Sequence, residues 1–200
     1  MKNVLVLFAH PRFEQSRANK ALVKSISAMP EVTFHDLYEQ YPYFQIDVER
    51  EKELLLQHDI IVWHHPFYWY SCPPLLKQWI DMVLEFGWAY GPGGNELKGK
   101  MCLQVITTGG SEAVYRSEGK NVYSINQFLR PFEQTARLCG MRYISPYAVM
   151  GTHKLTEEQL AMHAEQYREI IYNLREEIPV SEVKGCVFQN DIPEIKKLAR

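Results

Sequence analysis

Hydrophobic residues in this chain gather into short unbroken runs, separated by stretches in which they recur every three or four positions. Unbroken runs suit strands buried on both faces, and the wider spacing suits helices that cover them. Three runs are clear, Val4–Ala9, Ile60–His64 and Met101–Thr107, and two weaker ones span Val32–Leu37 and Arg142–Ala148. Between them Ala18, Leu22, Ile26 and Met29 share one helical face, as do Leu75, Leu76, Trp79, Ile80, Val83 and Leu84 behind Pro73-Pro74. Ile125, Phe128, Leu129, Phe132, Ala136 and Cys139 make a third stripe, in which Pro131 is expected to kink or restart the helix. Thr156 and Gln159 form a capping-box pair ahead of Leu160, His163, Tyr167, Ile171 and Leu174.

Strands alternating with helices predict an α/β domain: five βα units forming a three-layer, doubly wound sandwich around a parallel sheet. The pattern holds over residues 1–180. From Ser181 the charges mix, Gly185 and Pro193 intervene, and no stripe persists, so residues 181–200 are expected to be a C-terminal extension. The apolar run after Met1-Lys2 ends in His10-Pro11-Arg12 without a small-residue cleavage site, which favours a first strand over a signal peptide.

Composition narrows the function classes. A 200-residue chain that is 46% hydrophobic can bury one substantial core. Its 22 basic and 24 acidic residues are interspersed, giving a net charge of −2 and no basic surface that calls for nucleic acid or anionic lipid. No stretch approaches a membrane span. The four cysteines form no CxxC pair and no zinc spacing, so a reduced cytoplasmic setting is the simplest expectation, with Cys102 and Cys139 as packing residues.

Three segments carry candidate chemistry. The first follows the first strand, where Ser16 reads as a helix N-cap with Arg17, Ala18 and Asn19 in the first turn and His10 just upstream. Free N–H groups and the positive dipole end make such a turn an anion site suited to a terminal phosphate, although Ser is also an ordinary cap and His10 an ordinary strand-end residue. Neither a GxGxxG fingerprint nor a P-loop is present. The second segment is the aromatic loop Phe67-Tyr68-Trp69-Tyr70, which suits a flat conjugated ligand or, alternatively, a hydrophobic interface. His64 and His65 sit beside it, but neighbours on a strand point to opposite faces, so they read as structural and no metal is expected. The third is Thr107-Thr108-Gly109-Gly110, whose glycines would let backbone amides approach a ligand, or would simply make a tight turn. All three follow the C-terminal end of a predicted strand, on the rim where open α/β sheets bind ligands. A phosphate turn, an aromatic wall and an amide-rich turn together suit a flavin mononucleotide.

The run His65-Pro66, Trp69-Tyr70-Ser71, Pro73-Pro74-Leu75-Leu76-Lys77 and Trp79-Ile80-Asp81 is followed by Gly87-Trp88-Ala89-Tyr90-Gly91 and Thr107-Thr108-Gly109-Gly110. Together these resemble the flavodoxin-like NAD(P)H:quinone oxidoreductase family, and most nearly the bacterial glutathione-regulated potassium-efflux ancillary proteins. Asp36-Leu37-Tyr38, Tyr41-Pro42 and Phe44-Gln45-Ile46-Asp47 extend the likeness over most of residues 1–180. The resemblance implies a five-stranded parallel sheet in the order 2-1-3-4-5 and FMN as cofactor, with FAD used by larger relatives. It also implies a homodimer, and two-electron transfer from NAD(P)H to quinones by a ping-pong route. By motif position the FMN contacts would be His10, Ser16, Arg17, Ala18, Asn19, Phe67, Tyr68, Trp69, Tyr70, Thr107, Thr108, Gly109 and Gly110. Tyr115 would assist catalysis. Where the animal quinone reductases add a histidine, this chain has Asn121, so the likeness carries flavin reduction but not that proton relay.

The same likeness implies a second role, as a regulatory subunit docked on a membrane potassium/proton antiporter at the inner face of the cell membrane. A phosphoryl-receiver domain would need clustered acids where His10-Pro11 stands, and a hydrolase would need a GxSxG elbow that is absent.

Overall fold

A computed structural model of the protein describes residues 1–30 and 32–176. The expected extension over residues 181–200 lies outside the described residues.

Five parallel strands form one sheet: β1 (Val4–Phe8), β2 (Val32–Asp36), β3 (Ile60–Pro66), β4 (Met101–Thr107) and β5 (Arg142–Val149). Their order is β2-β1-β3-β4-β5, as the resemblance implied. Every residue of β1, β3 and β4 is buried, which explains their continuous apolar runs. Alternate side chains serve opposite faces. Leu5, Leu7, Ile61, Trp63, Cys102 and Ile106 face one core; Val4, Val6, Ile60, Val62, Leu103 and Val105 face the other.

The second core is covered by α1 (Arg17–Ile26) and α7 (Glu157–Arg175), through Leu22, Ile26, Tyr167, Ile170, Ile171 and Leu174. The first is covered by α4 (Pro74–Val83), α5 (Ile125–Phe128) and α6 (Arg130–Leu138). The helix break falls at Leu129, with Pro131 in the first turn of α6, where its missing N–H costs no intrahelical bond. Both N-cap signals are realised. Thr156 makes its capping box with Gln159, and Ser16 Oγ accepts from the Asn19 backbone N–H. The β4–β5 register slips between Leu103 and Val105, opposite Ser145-Pro146. An edge strand tolerates a proline there because its outer side pairs with no other strand.

The crossing from β2 to β3 holds two helices the hydrophobic pattern did not announce, α2 (Leu37–Gln40) and α3 (Val48–Leu56). The reason is visible in α3. Its most deeply buried position is a glutamate, Glu51, where a stripe would show leucine. The Glu51 carboxylate accepts from Trp79 Nε1 at 2.7 Å and Tyr41 OH at 2.5 Å, and lies 2.8 Å from His35 Nε2. One side chain thus ties β2, α3, α4 and the segment between α2 and α3.

Candidate functional site

The order reversal between β1 and β3 opens a crevice at the C-terminal ends of the strands, and all three predicted segments meet there. A cavity of about 330 Å³ is lined by His10, Ser16 and Asn19 from the first, Phe67 and Tyr68 from the second, and Thr107 and Gly109 from the third. Phe67 also lines an adjoining hollow of about 210 Å³, with Trp69, Tyr70, Tyr115 and Asn121. A polar compartment and an aromatic one therefore share a wall.

The polar compartment is built on the first turn of α1. Ser16 Oγ accepts from Asn19 N at 3.2 Å and from Asn19 Nδ2 at 2.8 Å, and the same Nδ2 reaches Thr107 Oγ1 at 3.0 Å. The N–H groups of Arg17 and Ala18 lie in the first turn, where no intrahelical acceptor exists. His10 Nδ1 accepts from Arg12 N at 3.0 Å, which leaves its proton on Nε2, and burial lowers its pKa. Two predicted residues point elsewhere. The Arg17 guanidinium bonds Glu157 Oε1 (2.9 Å from Nε, 2.5 Å from Nη2) and Leu155 O at the start of α7. Ala18 is packed in the core. Both can offer a ligand only backbone.

The aromatic compartment rests on a strained loop. Phe67 N donates to Thr107 O at 2.8 Å, and Tyr68 N to Pro66 O at 3.1 Å. Trp69 and Tyr70 then take left-handed conformations, with φ of 47° and 63°, each costing on the order of 1 kcal/mol. The Trp69 side chain is 92% exposed. Tyr70 stacks on Phe128 at 4.8 Å, and its OH donates to Asn121 Oδ1 at 3.3 Å. Tyr115 sits edge-on to Phe67 at 5.8 Å and hydrogen-bonds Thr108, with its pKa raised by burial.

The two glycines also make room for side chains of their own chain. A Cβ on Gly109 would stand 2.7 Å from His153 Nε2, and one on Gly110 would stand 2.9 Å from Tyr115 Cε2. Their missing side chains make room for an imidazole and a phenol. His153 and Thr152 also line the polar compartment and were missed in the sequence. They follow β5, so the strand-end rule that found the other turns could have found them. Three backbone bonds fix this fourth turn to the third: Thr108 N to Val149 O, Thr152 N to Thr108 O and Gly151 N to Gly110 O, at 2.9, 3.0 and 2.9 Å.

Behind the aromatic loop runs a buried polar chain. Tyr143 OH donates to Gln104 Oε1 (2.7 Å), so Gln104 Nε2 faces His65 Nε2 (2.9 Å) and donates to it. His65 must then carry its proton on Nδ1, which bonds Pro66 O at 2.9 Å. Burial holds this imidazole neutral, with a pKa of about 4. His64 is turned to the opposite face, against Tyr167, as alternation requires.

Residues 2–171 match the family described as the flavodoxin-like fold. The chain is 50% identical over 166 residues to the glutathione-regulated potassium-efflux system ancillary protein KefG of Enterobacter sp. (strain 638), covering 83% of this chain and 91% of that one. Among solved structures, general stress protein 14 of Treponema denticola in complex with FMN superposes with a TM-score of 0.83 and 38% identity, over 86% of this chain and 99% of its own. An NADPH-quinone reductase from P. pentosaceus superposes at 0.77 with 31% identity, over 84% and 96% of the two chains.

Proposed function

From the premise that this chain belongs to the flavodoxin-like family, we propose that it is an FMN-dependent NAD(P)H:quinone oxidoreductase working by a ping-pong route. One observation carries the reading. Hydroxyl and amide donors occupy one compartment, aromatic faces occupy the next, and Phe67 joins them. That is the layout a phosphate ester on a flat ring requires. The FMN-bound relative and the quinone reductase among similar structures support it.

When bound, FMN would supply the two-electron chemistry, and the protein supplies position and electrostatics. Ser16, Thr107 and the first-turn amides of α1 would hold the phosphate. Phe67, Trp69 and Tyr70 would wall the ring, with Gly109 and Gly110 placing backbone beside it. NAD(P)H and then a quinone would use the open hollow beside Trp69 and Tyr115. The Tyr115 hydroxyl would donate to the quinone oxygen as charge develops there.

Visible absorption of the purified protein, with the released flavin identified by mass, tests the reading. A colourless protein that takes up neither FMN nor FAD ends it. For Tyr115→Phe, quinone turnover at saturating NADPH is expected to fall about tenfold, one hydrogen bond's worth, with FMN content unchanged. Unchanged turnover removes Tyr115 from the mechanism.

The name of the 50% identical relative supports a second reading, an ancillary subunit of a potassium/proton antiporter, with flavin as a sensing ligand. No helix among the described residues is long and apolar enough to cross a membrane, so association would be through the partner. A homodimer is proposed with either role. Co-purification with an antiporter and no NAD(P)H oxidation would favour the ancillary role. Turnover without association would remove it.

A further inference from the structure

His64 is fully buried at the end of β3, clamped edge-on between Phe8 (5.0 Å) and Tyr167 (5.3 Å). Its Nε2 lies 3.1 Å from Asn19 Oδ1, while its Nδ1 has no hydrogen-bond partner among the described residues. That orphaned nitrogen decides how the polar compartment is wired.

The Asn19 amide can be placed two ways. In one, His64 carries its proton on Nε2 and donates to Asn19 Oδ1, so the Asn19 NH2 faces Ser16 Oγ and Thr107 Oγ1 and donates to both. Ser16 Oγ then has both lone pairs occupied, by Asn19 N and Nδ2, and must turn its proton outward. Thr107 likewise keeps its proton free. Both residues line the cavity, so two hydroxyl donors point at whatever occupies it. In the other arrangement the amide is turned over. Asn19 Oδ1 would consume both hydroxyl protons, leaving acceptor lone pairs facing the ligand. His64 would then have to accept on Nε2 and bury an N–H on Nδ1 with no acceptor. Orphaned buried N–H groups are rarer and costlier than a bare lone pair.

We infer that His64 is a positioning residue that keys the Asn19 amide, so that Ser16 and Thr107 present donors to the phosphate monoester of the bound flavin. The inference rests on the FMN reading above. It gives β3's buried histidine a part in selecting a phosphorylated flavin over its unphosphorylated parent, without touching either. Burial holds its pKa down to about 3, so it stays neutral and its single proton remains the one that sets the orientation.

The test compares FMN with riboflavin by fluorescence titration of the flavin-stripped protein. His64→Phe keeps a ring between Phe8 and Tyr167 but removes the donor. It is expected to weaken FMN about 10- to 100-fold, while changing riboflavin less than about threefold. His64→Gln, which retains a hydrogen-bonding group, should lose less FMN affinity than His64→Phe. Equal losses for both flavins, or undiminished FMN binding in His64→Phe, would overturn the inference and leave the FMN reading intact. Wild-type protein that binds neither flavin would instead end the FMN reading itself. A measurement on the unsubstituted protein decides the matter should His64→Phe not fold. Nitrogen-15 spectra of labelled histidine should show His64 protonated on Nε2 and bare on Nδ1, and the reverse tautomer would refute it.

Discussion

Glu51→Ala is expected to destabilise the fold by about 3–5 kcal/mol, the cost of breaking a buried charge network from one side. Three donors would be stranded: the Trp79 indole, the Tyr41 hydroxyl and the His35 imidazole. For a chain of this length that lowers the melting temperature by on the order of 10 °C. Thermal denaturation followed by circular dichroism checks it, and a loss below about 1 kcal/mol would show that the carboxylate is dispensable. The network also carries a pH signature. Burial pushes the Glu51 carboxyl up, but hydrogen bonds from His35, Tyr41 and Trp79, with the charge on His35, outweigh it and leave the pKa lowered. A carboxylate more acidic in the folded state stabilises fully above its ordinary range and loses that contribution as pH falls through its folded value. Wild-type stability should therefore drop on acidification below about pH 4.5 more steeply than that of Glu51→Ala.

Asn19→Asp should abolish most FMN binding while sparing riboflavin. The substitution is nearly isosteric, so packing at this buried position is preserved. Its new carboxylate cannot donate; it would draw the Ser16 and Thr107 hydroxyl protons to itself, and it would set a negative charge beside the phosphate. Two lost donors plus like-charge repulsion amount to roughly 3 kcal/mol or more, about 100-fold in affinity. Isothermal titration with both flavins reads the difference directly. Parallel losses would mean that the phosphate does not sit at the first turn of α1, and the assignment of the two compartments would have to be reversed.

These two substitutions lie on opposite faces of the sheet and report different things. Glu51 belongs to the α3–α4 side and holds helices together; Asn19 belongs to the α1 side and faces the cavity. Flavin affinity in Glu51→Ala is accordingly expected to follow global stability, whereas Asn19→Asp should lose FMN while still folded.

Much of the architecture was legible in the chain. The unbroken runs at Val4, Ile60 and Met101 became fully buried strands, because a parallel sheet covered on both faces leaves no polar side to encode. Strand-end placement brought the segments around His10, Phe67 and Thr107 to one cavity. Alternation alone separated His64 from His65. What the chain hid were contacts between elements far apart in sequence. Glu51 masked α3, because a buried glutamate reads as a surface residue until His35, Tyr41 and Trp79 are seen around it. Position alone put Arg17 at the phosphate turn, but could not show the bond from its guanidinium to Glu157, 140 positions away. That Gly109 and Gly110 also make room for His153, Val114 and Tyr115 could not be read along the chain. Periodicity records which way a side chain leaves its own helix or strand, and that was enough for the sheet and its rim. Which polar atom meets which depends on where distant elements cross, and only the packed fold decides that.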